Sequence, residues 1–418
     1  MVFKLQLSVL SEKFTVSRSQ SIRLCEGLAV DDYNLQAMPE TSPLKWHLAH
    51  TSWFYETFLL KPFFPDYQVF NEYYETLFNS YYMGVGQPYL RAQRALLSRP
   101  DVNEILDYLS HINDKILELL SLQQHPEIEQ IQQRIRLGIE HEKQHQELML
   151  TDLKYCFFHN PLYPVYCNQP LSASVEEPMH WLPFNAELYV AGYQGDDFCF
   201  DNELPLHKVY LADYEIASRP VTNGEYLAFI RDKGYRCAGL WLSDGWAWCQ
   251  QQQLTHPLYW VQQGDEWLEY TLYGLKPIDL NAPACHLSFY EADAFARWAG
   301  YRLPSEYEWE RSCAANSSAL FSNEIRHPAI NEIHSSKQPL AYVGQVWEWT
   351  VSSYAPYPGY QASKDTIGEY NGKFMCNQMV LKGGSCLSAD EHLRSSYRNF
   401  FYPPDRWQMS GIRLARTL

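Results

Sequence analysis

The chain changes grammar part-way along, and that break limits the folds open to it. Through the first 160 residues, apolar side chains recur at i, i+3 and i+4 in long runs with few glycines. Helices are predicted near 18–37, 43–60, 88–98, 100–122 and 126–158. Thr41-Ser42-Pro43 offers a hydroxyl cap and then a proline for a first turn, and Asp101 after Pro100 offers another start. Four or five helices of this length predict an up-down bundle over residues 1–160. Residues 161–180 carry Pro, Ser and Asn without a period and read as a linker. From 181 to 418 Gly, Trp, Tyr and Pro become frequent and the apolar runs shorten. Helical spacing survives near 222–233 and 288–299, while KVYLADYEIA and MVLKGGS read as strands. The expected fold class is therefore multidomain, α followed by irregular α+β.

A length of 418 residues suits two or three domains. Aromatic residues reach 15%, more than a core needs, which points to loop-rich packing or aromatic-lined clefts. The net charge of −16 leaves no basic stripe for phosphates, so nucleic acid is excluded as a general partner. A small substrate, cationic ones included, fits better. The ten cysteines form no C-x-x-C pair, which argues against zinc ribbons and thioredoxin-like sites. No run of about 18 apolar residues predicts a membrane helix, and MVFKLQLSVLSEKF lacks an apolar secretory core. A cytoplasmic protein with reduced thiols and no membrane partner is expected.

Metal chemistry is concentrated in His141-Glu142-Lys143-Gln144-His145. Histidines four apart on a helix share a face, so both can reach one ion. The pattern H-E-x-x-H is also that of zinc proteases, whose glutamate is the general base and whose third ligand lies downstream. Downstream here there is Asp152, two turns along, and then the linker. Upstream, LKWHLAHTSWF carries His47 and His50 on a helix that Trp46, Trp53 and Phe54 place in the core. A histidine on such a face must be hydrogen-bonded or metal-bound. His47, His50, His141 and His145 together allow a three-histidine site on two facing helices. Iron(II) with open positions for O2 and zinc are both compatible with these ligands.

The stretches SPLKWHLAHTSWFYETF and GIEHEKQHQELMLTDLKY resemble the two metal-bearing helices of the DinB-like domain in the ergothioneine-biosynthesis sulfoxide synthases (EgtB family). DNELPLHKVYLADYEIASRPVTNGEYLAFI, HLSFYEADAFARWAGYRLPSEYEWERSC, GQVWEWTVSSY, LKGGSC and RSSYRNFFYPPDRWQMSGIRLAR resemble the domain that follows it. That domain is formylglycine-generating-enzyme-like and related to C-type lectins. The resemblance implies an O2-dependent iron(II) enzyme joining cysteine to the imidazole of hercynine (Nα-trimethylhistidine) and leaving a sulfoxide. It implies iron ligands His50, His141 and His145, with His47 outside the first ring of contacts and Gln144 touching hercynine. In FNSYYMGVGQPYLRAQR it implies that a phenol of Tyr81 or Tyr82 donates a proton to reduced oxygen, a role suited to a group protonated at neutral pH. Arg91 and Arg94, three apart, then clamp the carboxylate of the thiol substrate. Asn399, Phe400 and Phe401 resemble the loop that receives hercynine, whose quaternary ammonium suits aromatic faces. Phe401 stands where the branch using γ-glutamylcysteine has an acidic residue, which favours free cysteine.

Other readings make different demands. An ovothiol-type synthase, using unmethylated histidine, or a selenium analogue shares the same iron motif. A zinc protease needs Glu142 as base and gives His50 no role. A formylglycine-generating enzyme needs a partner for Cys386, which LRSSYRNFF does not supply. A lectin-like binding module needs no metal ligand at His141.

Overall fold

The computed structural model describes residues 2–122, 124–315, 326–329, 344–362, 364 and 366–418. The chain forms two compact units, Met1–Asn160 with Ala362–Tyr370, and Pro161–Gln361 with Asn371–Leu418. Residues 362–370, which composition alone leaves within 181–418, pack with the helical unit.

In the helical unit, α1 (Val2–Arg23) buries Leu7, Leu10, Phe14, Arg18 and Ser21, one stripe at three- and four-residue spacing. The helix expected at 18–37 thus begins near residue 2 and stops at Arg23, where the chain turns through Gly27 at φ +81°. α2 (Leu44–Tyr55) is buried on every face. It continues into a π turn, Glu56–Leu60, which carries the buried Glu56 carboxylate to the hydroxyls of Tyr67 and Tyr108. Two short turns follow, α3 (Lys61–Phe63) and α4 (Tyr74–Leu77). α5 (Val102–Ser121) begins at Asp101, the start the sequence predicts, and the Asp101 carboxylate accepts from the Glu104 N–H in a reciprocal capping box. It buries Ile105, Leu109, Ile112, Ile116 and Leu119 along one face. Each such side chain contributes about 1.5–3 kcal/mol by leaving water. α6 (Ile128–Phe158) is the longest helix among the described residues.

α2 packs against α5 and α6, and α1 against α6. Gly138 lets α6 approach Tyr55 of α2, since a Cβ there would lie 2.4 Å from the tyrosine ring. Two local expectations fail. The stretch 88–98 holds only a 3-10 turn, Arg91–Leu96. No hydroxyl caps α2, because its N-cap is Pro43; Ser42 Oγ, one residue earlier, accepts from Arg94 Nη1 at 2.8 Å.

The second unit joins short strands and helices. β1 (Trp181–Phe184), β4 (Tyr214–Ala217) and β12 (Ala415–Thr417) form one sheet, and β2 (Glu187–Ala191) pairs with β3 (His207–Leu211). β5 (Trp260–Gln263), β6 (Glu266–Thr271) and β7 (Gly274–Pro277) form a meander. The central sheet runs in the order β10 (Asn399–Phe401), β9 (Met379–Lys382), β8 (Trp347–Ser353), β11 (Ser410–Gly411). Its core holds a buried ion pair, Arg413 bidentate on Glu348 at 2.7 Å, with Trp309 Nε1 on the same carboxylate. After β9, Gly383 and Gly384 take φ of +102° and +76°, which explains the paired glycines of LKGGSC. Helices form at Asn223–Arg231 and Phe289–Trp298, inside the two stretches where helical spacing survived.

Candidate metal centre

His50 on α2 and His141 and His145 on α6 converge in the core of the helical unit. One ring nitrogen from each lies within 4.8 Å of those of the other two. His50 and His141 are buried and His145 is partly so. Desolvation holds all three imidazoles neutral. It pulls His141 down to about 3, and burial together with the neighbouring rings pulls His50 and His145 well below 6.5. Neutral imidazole is the form that binds a metal.

Hydrogen bonds identify the free lone pairs. His50 Nδ1 lies 2.6 Å from the Phe78 carbonyl, which can only accept, so Nδ1 carries the proton and Nε2 the lone pair. That Nε2 faces His141 Nε2 at 3.2 Å. Nitrogens bound to one ion at 2.0–2.1 Å sit roughly 3–3.4 Å apart, so this pair already has ligand spacing. His141 Nδ1 is buried with no hydrogen-bond partner among the described residues. The donor set, all nitrogen, neutral and convergent, fits a divalent first-row metal. His50 stacks on Trp46, centroids 4.6 Å apart at 9°, and Arg94 lies over the same indole at 3.3 Å.

His47 stands behind this cluster. Its Nδ1 is 2.8 Å from His145 Nδ1 and its Nε2 is 3.2 Å from Asp152 Oδ2. Glu142, the base of a protease reading, is committed elsewhere. It receives Arg18 Nη1 at 2.9 Å and the Ser21 hydroxyl at 2.6 Å.

Tyr81 and Tyr82 stack at 4.6 Å, with Tyr82 fully buried against Trp53 and Phe58. The Tyr82 hydroxyl makes no well-formed hydrogen bond among the described residues. Burial pushes it well above 10, and the phenols of Tyr81 and Tyr370 push it further. The loop is pinned at both ends. Asn79 brackets Tyr82 through backbone N–H and C=O, and the Glu369 carboxylate accepts from the N–H groups of Met83 and Gly84. Tyr370, next to Glu369, places its ring 5.6 Å from that of His141 and donates to Gln144 Oε1.

Family patterns match both parts of the chain. The DinB superfamily covers residues 13–149, and the sulfatase-modifying factor enzyme 1-like domain covers 186–341 and 335–418. The chain is 31% identical to the hercynine oxygenase of Mycolicibacterium smegmatis, over 97% of its own length and 98% of that protein. The chain belongs to the hercynine oxygenase family. The hercynine oxygenase of Mycobacterium tuberculosis is 30% identical over 96% of each chain. Ergothioneine biosynthesis protein 1 of Schizosaccharomyces pombe is 27% identical over 53% of this chain and 28% of its own.

Against that family frame, the predicted residues fall into three groups. His50, His141, His145, Gln144, Tyr81 and Tyr82 share the helical unit, and Tyr370 is linked to both Gln144 and the tyrosine pair. Arg91 and Arg94 diverge. Arg91 is exposed and donates to the Glu40 carbonyl, while Arg94 is buried against Trp46 and Ser42. Asn399, Phe400 and Phe401 form β10 of the second unit, where Phe400 stacks on Tyr354 at 4.0 Å. Cys386 packs with Cys285, Val346 and Met409. Sequence reasoning missed Tyr370 and Glu369 entirely. Their only signal is an acidic-aromatic step in a polar stretch, 226 residues after Gln144.

Proposed function

We propose that this chain is an O2-dependent iron(II) sulfoxide synthase that joins cysteine to the imidazole of hercynine in ergothioneine biosynthesis. The observation that carries the reading is the cluster of three neutral histidines, His50, His141 and His145, in a chain collinear with hercynine oxygenases over nearly its full length. These three residues would hold the metal. Iron(II), when bound, supplies O2 activation and a positive charge that favours thiolate over thiol.

The chain's own residues position reactants and manage protons. Gln144, held by the Tyr370 hydroxyl, presents its amide N–H to the hercynine end of the pocket. The buried Tyr82 phenol keeps its proton far above neutral pH and delivers it where oxygen is reduced, with Tyr81 stacked beside it. Arg91, with an accessible guanidinium, and Arg94, stacked on Trp46, are assigned to the thiol substrate's carboxylate. The aromatic side chains of this family loop, Phe400 and Phe401 with Asn399, are assigned to the quaternary ammonium of hercynine.

The test is an aerobic assay with iron(II), a reductant and each pairing of hercynine or histidine with cysteine or γ-glutamylcysteine, read by mass spectrometry. Hercynine with cysteine is expected to give the sulfoxide adduct fastest. Product from histidine alone would shift the reading to an ovothiol-type synthase. No sulfoxide from any pair would refute it.

A further inference from the structure

We infer that Glu369 is a positioning residue: its carboxylate fixes the backbone of the loop at 79–86 and so sets where the Tyr82 phenol stands. The inference deepens the proposed function and rests on its assignment of Tyr82 as proton donor. The Tyr82 ring is 0% exposed, with Tyr81 stacked at 4.6 Å, Phe58 at 5.1 Å and Trp53 at 5.7 Å. Its hydroxyl makes no well-formed hydrogen bond among the described residues. The phenol therefore inherits its position from ring packing and from the backbone that carries it. Two side chains hold that backbone. Asn79 Oδ1 accepts the Tyr82 N–H at 2.9 Å, and Asn79 Nδ2 donates to the carbonyls of Tyr82 at 2.9 Å and Gly86 at 3.1 Å.

Glu369 takes the next two donors. Its Oε2 accepts the Met83 N–H at 3.1 Å and its Oε1 the Gly84 N–H at 2.9 Å. A backbone N–H only donates and both carboxylate oxygens accept, so the direction of this grip is fixed by the groups themselves. Two successive N–H groups on one carboxylate resist both shift and twist of the peptide between them. Met83 and Gly84 are exposed, so packing does little to hold the loop beyond Tyr82 and the carboxylate anchors it. The same turn reaches α6. Glu369 closes the 3-10 turn Thr366–Glu369, and Tyr370, the next residue, donates to Gln144 and sets its ring 5.6 Å from that of His141. Two adjacent residues thus tie the phenol's loop to the helix that carries two of the three histidines.

Glu369→Gln tests the grip, because it keeps the shape of the side chain but replaces one accepting oxygen with an NH2 group that cannot accept. Amide exchange in the metal-free full chain reads the loop directly. In E369Q the Met83 and Gly84 N–H groups should exchange about 10-fold faster, the scale of one lost hydrogen bond, while amides of α5 stay as in the wild type. With iron(II), hercynine and cysteine, E369Q should form about 10–100-fold less sulfoxide per thiol consumed, the scale of a reacting group displaced by about 1 Å. A merely structural role would lower the ratio equally whether or not the phenol is present. Acting through Tyr82, E369Q should have no further effect in a Y82F background. An equal fall in both backgrounds, or exchange at Met83 and Gly84 unchanged by E369Q, would overturn the assignment. So would weaker cobalt(II) binding in E369Q, since that would place Glu369 in the metal site. A wild-type chain that forms no sulfoxide would refute the functional reading, while the exchange rates would still decide the grip.

Discussion

Arg18 should be the most damaging single truncation in the helical unit outside its apolar core. It projects from α1 and is 2% exposed. Its guanidinium donates to Asn113 Oδ1 at 2.7 Å, Thr51 Oγ1 at 3.0 Å, Glu142 Oε1 at 2.9 Å and Ser52 Oγ at 2.6 Å. These partners lie on α5, α2 and α6, so one side chain ties α1 to three helices, two of which carry the histidines. Removing it by Arg18→Met keeps much of the apolar stem but takes the cation from the Glu142 carboxylate, which is 0% exposed and retains the Ser21 hydroxyl. Breaking a buried pair from one side costs about 3–5 kcal/mol, mostly because the surviving charge stays desolvated. For a unit of this size that corresponds to a fall in Tm of roughly 6–20 °C. Urea unfolding followed at the helical circular-dichroism signal measures it. Removing both charges, as in R18M/E142M, should be less harmful than R18M alone, because the unpaired carboxylate is gone. A loss below about 1 kcal/mol in R18M, or a double variant worse than the sum of the singles, would refute this account of the pair.

Three further outcomes are expected. Tyr82→Phe should lower sulfoxide formation by about 100-fold or more, the usual scale of a positioned acid, while thiol consumption continues. If Y81F and Y82F both make sulfoxide at the wild-type rate, the tyrosine assignment is wrong. The metal-free protein should lose stability as pH falls. His141 titrates at about 3 when folded and near 6.5 when unfolded, so from about pH 6.5 down to 3 the unfolded chain binds more protons. Urea midpoints across that range should drop, and drop less in His141→Asn, which lacks the group. Metal at 100 times its Kd should add about 2.7 kcal/mol to the helical transition, and a chelator should remove it. Identical melting with and without metal would count against a site at the histidines.

The legible parts of this molecule were those encoded locally. Helical spacing exposed the paired histidines of α6, and Asp101 after Pro100 marked the start of α5. What escaped was set by distant partners. Ser42 looks like a cap, but the N-cap is Pro43, and Arg94, 52 residues away, takes the serine hydroxyl. Arg91 and Arg94 look like one face, yet Arg91 lies in solvent while Arg94 is buried on Trp46. The start of α1 was hidden because its apolar residues, Leu7, Leu10 and Phe14, are diluted by Ser, Glu and Lys. Tyr370 carried only an acidic-aromatic step, since its role depends on residues 362–370 packing with the bundle.

These observations make the site and the core of the helical unit one object. α2 is buried on all faces, which a helix with Lys45, His47, His50, Thr51 and Ser52 can tolerate only if each polar group is met. Lys45 reaches backbone carbonyls of Leu97 and Pro100, Thr51 and Ser52 meet Arg18, His47 meets Asp152, and His50 meets Phe78. The nitrogens left over are those that face one another across α2 and α6. Burial, rather than any single charge, keeps them neutral, so the packing that stabilises the bundle also prepares the ligands. A substitution that loosens α2 should therefore weaken metal binding without touching a histidine. Conversely, a metal that binds only the folded unit adds its binding free energy to stability, which couples folding to occupancy through the same three rings.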